Sequence, residues 1–442
     1  MKLTRLAAFS LSFFVGRAAL AEGPTVPPPA PPVVIAPTGP VKKLDLGTYL
    51  GDVGRGNWEI AAARAGATAA QAQIAVAKVF PDPFVTAGLQ QVDITRQPNP
   101  TATVLSLTLP LQVGGQRSAR INVAEAGAVA ALADVEDTLR LLRAQAANAY
   151  VDALHARLIL DRKKRTQASL ERLVGVNEVR LKAGDVAETS FIQSRVEAQQ
   201  FAAQVIAGEG DVRVADLALL VLLGRTMPSP APTLELGGDL AAASRKSFVV
   251  DALVKDAIAH RPDLRASQSR LEQTRRQISL ARANRIPDIT LSAYWQHNFP
   301  FNGVVPFPSS DFLGTTVAVP LPFSRVYRGE LDAAYAGEIQ SDAMTRALIQ
   351  RVEIEVRQAL IQYDAGAGRV KVYVDGGVLA DADSVLDRSF YNYQRGGASF
   401  VEVLVAQRTV NDVYLSYYGA ITDAAHALVA LEQAVASTDI PF

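Results

Sequence analysis

Two hydrophobic patterns alternate along the chain, one typical of strands and one typical of very long helices. Leucine recurs at every second position at Leu105, Leu107, Leu109 and Leu111, which predicts a strand with one apolar face. After Gly115 the spacing changes to alternating steps of four and three, in a seam made of Ala128, Leu132, Val135, Leu139, Leu142, Ala146, Ala149, Ala153, Ala156 and Leu160. This heptad seam predicts a coiled-coil-like helix from Gly115 to about Leu181, about 100 Å long.

The same succession occurs a second time. Val317, Val319 and Leu321 alternate before another long stretch without proline. A second seam, Ile349, Val352, Val356, Ala359 and Tyr363, lies 210 residues after Leu139, Leu142, Ala146, Ala149 and Ala153. In the helices that follow, Phe191, Phe201, Val212 and Leu219 match Val403, Val413, Ala424 and Leu431 at a shift of 212. Constant shifts over so many positions predict a tandem duplication.

The start of the chain has the features of an export signal. Residues 1–21 combine a basic start, an apolar run and Ala19-Leu20-Ala21 before Glu22. We therefore expect a signal peptide cleaved after Ala21, with a short membrane anchor as the alternative. Residues 22–43 are rich in proline and are expected to form a disordered leader.

The two copies account for most of the remaining chain. The first copy, 44–224, is predicted to contain a helix, a β-hairpin at 84–111 and long helices at 115–224. The second copy, 248–436, repeats this order with a hairpin at 288–321, in which His297 to Phe312 is expected to form the connecting loop, and with long helices at 324–436. A linker at 225–247 separates the copies, and a short tail, 437–442, follows the second. The predicted fold class is mainly α with a small β part.

Four strands with one apolar face cannot close a barrel within one chain, and open edges invite pairing with another chain. In a membrane, only helices and closed barrels satisfy every backbone group. Three chains of four strands each would close a twelve-stranded barrel, and the same threefold arrangement would close the long helices into a tube. The pattern therefore predicts a homotrimeric conduit that crosses a membrane as a β-barrel and continues as an α-helical barrel.

Composition excludes several other functions. The chain has 442 residues with 44 basic and 44 acidic side chains, so charge gives no reason to expect nucleic acid as a partner. Cysteine is absent, which removes disulfides, thiolate metal sites and a lipid-acceptor cysteine. The histidines His155, His260, His297 and His426 show no metal-ligand spacing along the sequence. We find no catalytic pair and no phosphate-binding or dinucleotide-binding motif, so we expect no enzyme, no cofactor and no metal site.

Several motifs, in order and duplicated, resemble the TolC-type outer membrane efflux proteins, the outer membrane factor family. They are Arg261-Pro262-Asp263-Leu264-Arg265-Ala266, the strand-to-helix joints at 107–111 and 317–321, and the helix turns at 180–186 and 393–404. The resemblance covers about Leu44 to Ala436. Phe80-Pro81-Asp82-Pro83, together with residues 110–117, is most similar to the heavy-metal (cobalt-zinc-cadmium) branch.

The resemblance implies the exit duct of a tripartite efflux pump. Such a duct lies in the outer membrane of a Gram-negative bacterium, in contact with its lipid, and extends into the periplasm. It works with a periplasmic adaptor protein and an inner-membrane transporter, here expected to be of the RND type. Two alternatives remain: the outer membrane channel of a type I secretion system, and, in a different class, a periplasmic coiled-coil adaptor or scaffold.

The resemblance also assigns roles to residues at two helix turns. The expected adaptor-contact tips consist of Ala183, Gly184 and Asp185 in the first copy and of Arg395, Gly396 and Gly397 in the second. The alternative for the glycines is a structural role alone, in which they reverse the chain between two helices at positive φ. The same glycines can also have both roles.

In the family, acidic residues after the second tip narrow the periplasmic aperture. Glu402 occupies the first such position, and Val405 stands where a second acid is expected. Ser190 lies at the position of the first copy that matches Glu402, and Tyr393 retains the family's aromatic residue. The alternative for Glu402 is a solvated glutamate that the helix dipole favours.

Overall fold

The structure is a computed structural model that describes residues 44–90, 102–224, 234–300, 308–321 and 328–437. The predicted signal peptide and proline-rich leader lie outside the described residues. The first copy contains α1 (Leu46–Gly56), α2 (Trp58–Ala77), β1 (Phe84–Gln90), β2 (Ala102–Leu111), α3 (Gln116–Lys182) and α4 (Glu188–Leu222). The second contains α5 (Val250–His260), α6 (Pro262–Ala283), β3 (Ile289–Asn298), β4 (Ser310–Ala318), α7 (Arg328–Val374), α8 (Val378–Gln394) and α9 (Phe400–Val435).

The strands form one antiparallel sheet in the order β1-β2-β3-β4. The central pair joins the two copies, with Leu107 opposite Ala293. Val85 lies opposite Leu107, and Ala293 lies opposite Thr315, so the odd-numbered positions of all strands share one face. Because strand side chains alternate between faces, this register collects the predicted leucines on one apolar face. That face is exposed in the single chain, since Leu313 for example is 85% accessible.

The second hairpin differs from its predicted limits at both ends. β3 continues to Asn298, since the ladder runs through His297 opposite Asp311 to Asn298 opposite Ser310. His297 was expected in the connecting loop. β4 ends at Ala318 rather than at Leu321, two residues before Pro320, which has no N–H to donate to the ladder.

The helices continue the order of the strands. Beside the sheet, α2 packs on α3, α3 on α6, and α6 on α7, in the order of the strands to which they connect. Farther from the sheet, α4 packs on α3, α3 on α9, and α9 on α7 and α8. The chain therefore forms one strip, in which the four strands are followed by helices packed in the same order. None of the helices in the described ranges is both long and apolar enough to cross a membrane.

Two helices begin where two others end. The side-chain Nδ2 of Asn57, the N-cap of α2, donates to the carbonyl of Leu222 at 2.9 Å, at the end of α4. Gly224 there has φ +67°, and an added Cβ would lie 2.2 Å from the carbonyl oxygen of Gly56. The last carbonyls of a helix lack intrahelical partners, so the cap of one helix satisfies the end of the other.

The second copy makes the same junction with an arginine. Arg261, the buried N-cap of α6, donates to the carbonyl of Ala434 at 3.1 Å, near the end of α9. The same guanidinium binds Asp263 through two hydrogen bonds of 3.0 and 2.6 Å and Glu355 at 2.7 Å. The Arg-Pro-Asp motif therefore has a structural role: it joins α6, α7 and α9 at one buried point.

One added layer covers a single face of the helical strip. We call it the girdle and define it as residues 44–56 and 234–260. The Tyr150 hydroxyl donates to the carbonyl of Leu44 at 2.6 Å, and the Tyr363 hydroxyl donates to the carbonyl of Ala243 at 2.9 Å. The part of the predicted linker that the structure describes lies in this layer and contains a 3-10 helix, Leu240–Arg245, with Leu240 and Ala243 buried. Most of the buried apolar residues lie between the girdle and α3, α7 and α9.

The copies differ most in their long descending helix. α3 runs without interruption for 67 residues. In the second copy, α7 ends at Val374, and α8 begins after Gly377, which has φ +73°. An added Cβ on Gly376 would lie 2.3 Å from the carbonyl oxygen of Val372. The pair of glycines therefore permits a break that the matching helix of the first copy, α3, does not have.

Candidate functional site

The two predicted tips are matching helix-to-helix turns. Gly184 has φ +81° and Gly396 has φ +78°, in the left-handed region that favours glycine. The N–H of Asp185 donates to the carbonyl of Arg180 at 2.9 Å, and the N–H of Gly397 donates to that of Asn392 at 2.9 Å. These are the long bonds of two Schellman motifs, which close a helix by reversing the chain. The tips are thus built alike, 212 residues apart.

The six predicted tip residues are all exposed. They are Ala183, Gly184, Asp185, Arg395, Gly396 and Gly397. Arg395 packs its guanidinium on the Tyr391 ring, 3.7 Å from the ring centre, which holds this side chain near the turn. The tips present small residues with one acid and one base, a surface on which another helix can pack closely.

Tyr393 is buried, in contrast to the tip around it. Its hydroxyl donates to Oδ1 of Asn177 on α3. The Arg180 guanidinium lies 4.7 Å from the centre of the Tyr393 ring and donates to its carbonyl at 2.8 Å. Burial raises the pKa of the Tyr393 hydroxyl, so it remains a hydrogen-bond donor at neutral pH. Within this chain Tyr393 fastens the second tip to α3.

Asn177 is the residue at this site that the sequence analysis missed. It is fully buried, and its Nδ2 donates to the carbonyl of Ser190 at 3.5 Å while its Oδ1 accepts from Tyr393. The structure thus brings two predicted aperture residues, Ser190 and Tyr393, to one amide. A signal was available, because the four-three spacing of the α3 seam extends to position 177. A polar residue on an apolar seam indicates a specific buried partner.

Glu402 is exposed in the first turn of α9 and forms a capping box there. Its carboxylate accepts from the N–H of Ser399 at 3.1 Å, and its own N–H donates to the Ser399 hydroxyl at 3.2 Å. The matching pair in the first copy is Ala187 and Ser190, and α4 has no side-chain cap. Of the two matching positions, only that of the second copy holds an acid. There Glu402 has a local structural role, because it caps the start of α9.

A small separate core holds the two tips together. It consists of Leu173 on α3, Tyr393 on α8, and Phe400 and Val403 on α9. The exposed charge of Glu402 consequently lies on a turn that buried contacts fix in position. As for metals, no group of three or more His, Asp or Glu side chains within the described ranges is arranged to hold an ion.

Comparison with known proteins agrees with this architecture. The model of a family described as outer membrane efflux protein matches residues 54–225 and 253–437, one match for each copy. The cobalt-zinc-cadmium resistance protein CzcC of Cupriavidus metallidurans is 23% identical over 406 residues, which is 91% of this chain and 92% of that protein.

Solved structures share the fold. The structure of CusC aligns with a TM-score of 0.72 at 18% identity and covers 93% of this chain and 98% of that one. The outer membrane protein VceC of Vibrio cholerae aligns with a TM-score of 0.68 at 19% identity, over 89% of this chain and 96% of that one. The predicted fold class and the resemblance to TolC-type proteins are thereby confirmed. The chain belongs to the outer membrane efflux protein family, which consists of channel proteins and not of enzymes.

Proposed function

We propose that three copies of this chain form the exit duct of a tripartite efflux pump in the outer membrane of a Gram-negative bacterium. The observation that carries the proposal is the sheet. β1 and β4 each have one strand neighbour, so both edges are open in the single chain. An apolar face and two open edges are both satisfied when β4 of one copy pairs with β1 of the next in a closed ring.

The helical part supports the same ring. α4 packs mainly on α3, and it carries an exposed apolar stripe made of Val196, Ile206, Val214 and Val221. At the other edge of the strip, α7 carries an exposed stripe made of Ile339, Ile354, Ile361 and Val372. Each stripe lies on one side of its helix, so both edges of the strip are apolar. The α4 edge of one copy can therefore pack against the α7 edge of the next. Sheet and helices then close around one threefold axis.

The exposed tips are the proposed contact with a periplasmic adaptor. The adaptor would connect the duct to an inner-membrane transporter, which we expect to be of the RND type. The cargo that we propose first is divalent metal ions, because CzcC is described as a cobalt-zinc-cadmium resistance protein. Export of the chain through a signal peptide cleaved after Ala21, without a lipid anchor, completes the proposal.

Two measurements test the assembly. Mass measurement in mild detergent should give three copies per particle, and the same particle should conduct ions in planar bilayers. A stable monomer that conducts would refute the ring. Sequencing of the membrane-purified protein should begin at Glu22, and a sequence beginning at Met1 would refute the cleavage.

The absence of cysteine allows a clean test of the tips. Single-cysteine variants Ala183→Cys and Arg395→Cys, loaded with a short photocrosslinker, should label the adaptor in cells. The matched control is Asn298→Cys at the hairpin end, which should not label it. Labelling from position 298 alone would refute the proposed orientation.

A further inference from the structure

Two facing helices carry the same four-residue pattern of an aspartate and a histidine. Asp152 and His155 lie three apart on α3, and Asp423 and His426 lie three apart on α9. Residues at this spacing share one face of a helix, and α3 packs against α9. An acid and a histidine three residues apart on facing helices are a common way to build a metal site inside helical proteins. The duplicated pattern is invisible along the sequence, because the two pairs are 271 residues apart.

The structure brings one acid and one histidine of this set into contact. Nε2 of His426 lies 2.9 Å from Oδ1 of Asp152, and Nδ1 of His426 lies 2.8 Å from Oδ1 of Asn148. With the proton of Nδ1 donated to the Asn148 oxygen, the other ring nitrogen faces a carboxylate. Two acceptors at this distance need a proton or a cation between them. Metal-ligating histidines characteristically donate their second N–H to an oxygen in this manner.

His155 is oriented in the same sense. Its Nδ1 lies 2.7 Å from the hydroxyl oxygen of Thr422, whose proton is donated to the carbonyl of Tyr418 at 2.8 Å. The Thr422 oxygen therefore accepts from the Nδ1–H of His155, and Nε2 of this ring carries the lone pair. Both histidines are thus held by side chains of the opposite helix in the tautomer that leaves Nε2 available to a ligand.

The set lies on the face of the strip that is opposite the girdle. Asn148 and Asp152 are each two positions from Tyr150, which is about 200° around the helix, and Tyr150 contacts the girdle. Asp152 and Asp423 are exposed, at 63% and 57% of their side-chain surface, and Asp423 is ion-paired with Arg369 at 2.8 Å. A closed tube has room for an extra layer only on its outside. In the proposed duct the girdle is therefore external and this face lines the lumen, a placement that rests on the proposed function.

We propose that Asp152 and His426 form an open, two-ligand site for a divalent transition-metal cation, with His155 and Asp423 nearby but not among its ligands. In one chain the contact supplies two ligands, and water would complete the coordination. Tetrahedral zinc ligands at about 2.0–2.1 Å from the metal lie about 3.3 Å apart, so the observed 2.9 Å between His426 and Asp152 needs only a small side-chain rotation. Mixed imidazole and carboxylate donors suit Zn²⁺ and Co²⁺ better than Mg²⁺. Few protein ligands mean weak binding, which allows a passing ion to leave.

The test is titration of the untagged, detergent-solubilised protein with Zn²⁺ by calorimetry. Parent protein should bind Zn²⁺, and His426→Ala and Asp152→Asn should each weaken binding by about tenfold or more. The matched control is His260→Ala, an exposed histidine on α5 in the girdle, which should leave Zn²⁺ binding unchanged. Mg²⁺ should compete poorly. Both altered side chains are partly exposed, and an unchanged particle mass establishes that each variant is folded.

Equal Zn²⁺ affinity in the parent, His426→Ala and Asp152→Asn would overturn the site, whether or not the protein conducts. Zn²⁺ binding that depends on His426 in a protein that conducts no ions would support the site and refute its placement in a duct. Block of single-channel current by Zn²⁺ in the parent, relieved in His426→Ala but not in His260→Ala, would support both site and placement.

Discussion

The hydroxyl of Tyr393 on α8 donates to the side-chain oxygen of Asn177 on α3, across 216 residues of sequence. Both side chains are buried, and Asn177 also binds the backbone of Ser190 at the start of α4. A single amide thus connects α3 and α4, the two helices of the first tip, to α8, the helix that leads into the second tip. Because unpaired buried polar groups are costly, this contact favours one relative position of the tips over others.

Tyr393→Phe should loosen the second tip without unfolding the chain. The variant leaves Oδ1 of Asn177 buried and without its donor, at a cost of about 1–3 kcal/mol. We expect faster amide hydrogen exchange in residues 388–400 by mass spectrometry. Tyr391→Phe is the control, since Tyr391 is exposed and contacts Arg395 through its ring. Equal exchange in both variants would contradict a fastening role for Tyr393.

Alanine at either tip glycine should destabilise its turn. Gly184 and Gly396 have no neighbouring atoms that a Cβ would meet, so the cost is the left-handed backbone alone, about 1–2 kcal/mol. The controls are Gly175→Ala and Gly368→Ala in helix interiors, where an added Cβ also meets nothing. These should be neutral or stabilising by up to about 1 kcal/mol. Thermal unfolding of all four variants gives the comparison, and a similar response in both pairs would contradict the assigned backbone strain.

Much of the fold could be predicted from periodicity. The heptad seam placed α3 within one residue of its observed limits, and the alternating leucines identified the apolar face of the sheet. Both signals are repeats among residues close in sequence. They predict the elements well because the repeated apolar side chains pack together on one face. The girdle was mostly missed, because short segments such as α1 and the 3-10 helix repeat no pattern long enough to detect. They are held by contacts such as that of Tyr150 with Leu44, which sequence spacing does not reveal.

The turns at the tip glycines could be predicted because the duplication and the family motif both mark them, whereas the family motif alone marks Glu402. Asn177 and the His426–Asp152 contact were not found, because each depends on how helices distant in sequence pack together. Arg261 was identified only as part of a motif shared with the family. Its function as the joint between α6 and α9 becomes visible when its partners Glu355 and the carbonyl of Ala434 are known.

Because of the Arg261–Asp263 contact, the free energy of unfolding should decrease as the pH is lowered. Burial alone would raise the pKa of Asp263, but the hydrogen bonds and charge of Arg261 outweigh it and hold that pKa below its ordinary value of 3.8. Ionised Asp263 therefore contributes stability above about pH 4, and this is lost as the pH falls through the folded-state pKa. Asp263→Asn should lower stability by about 3 kcal/mol at neutral pH.

The pH dependence separates this contact from general loss of packing. The melting temperatures of parent and Asp263→Asn should differ most at neutral pH and converge below pH 3.8. Asp342→Asn, which breaks an exposed ion pair with Arg346 on one helix, should cost less than about 0.5 kcal/mol. A difference between parent and Asp263→Asn that persists unchanged in acid would assign the loss to packing instead.

Glu402 should set the charge of the periplasmic mouth in the proposed trimer. Threefold symmetry would bring three such carboxylates around the axis, where they would attract cations. Val405 and Ser190 are uncharged, so no second acid at the matching positions would compensate. A glutamine at position 402 can also accept a hydrogen bond from the N–H of Ser399, so it preserves this part of the capping box. Glu402→Gln thus removes the charge and keeps the helix start.

We expect Glu402→Gln to lower cation selectivity in planar bilayers and to weaken block by multivalent cations added from the periplasmic side. The measurement belongs at low salt, where screening is least. Ser399→Ala is the matched control: it removes the hydroxyl that caps α9, at a cost of about 1 kcal/mol, and keeps the carboxylate. Selectivity that changes in Ser399→Ala but not in Glu402→Gln would mean that the capping box shapes the mouth and the charge does not. Loss of cation selectivity in Glu402→Gln but not in Ser399→Ala would assign the selectivity to the charge of Glu402, since the start of α9 is the same in the parent and in Glu402→Gln.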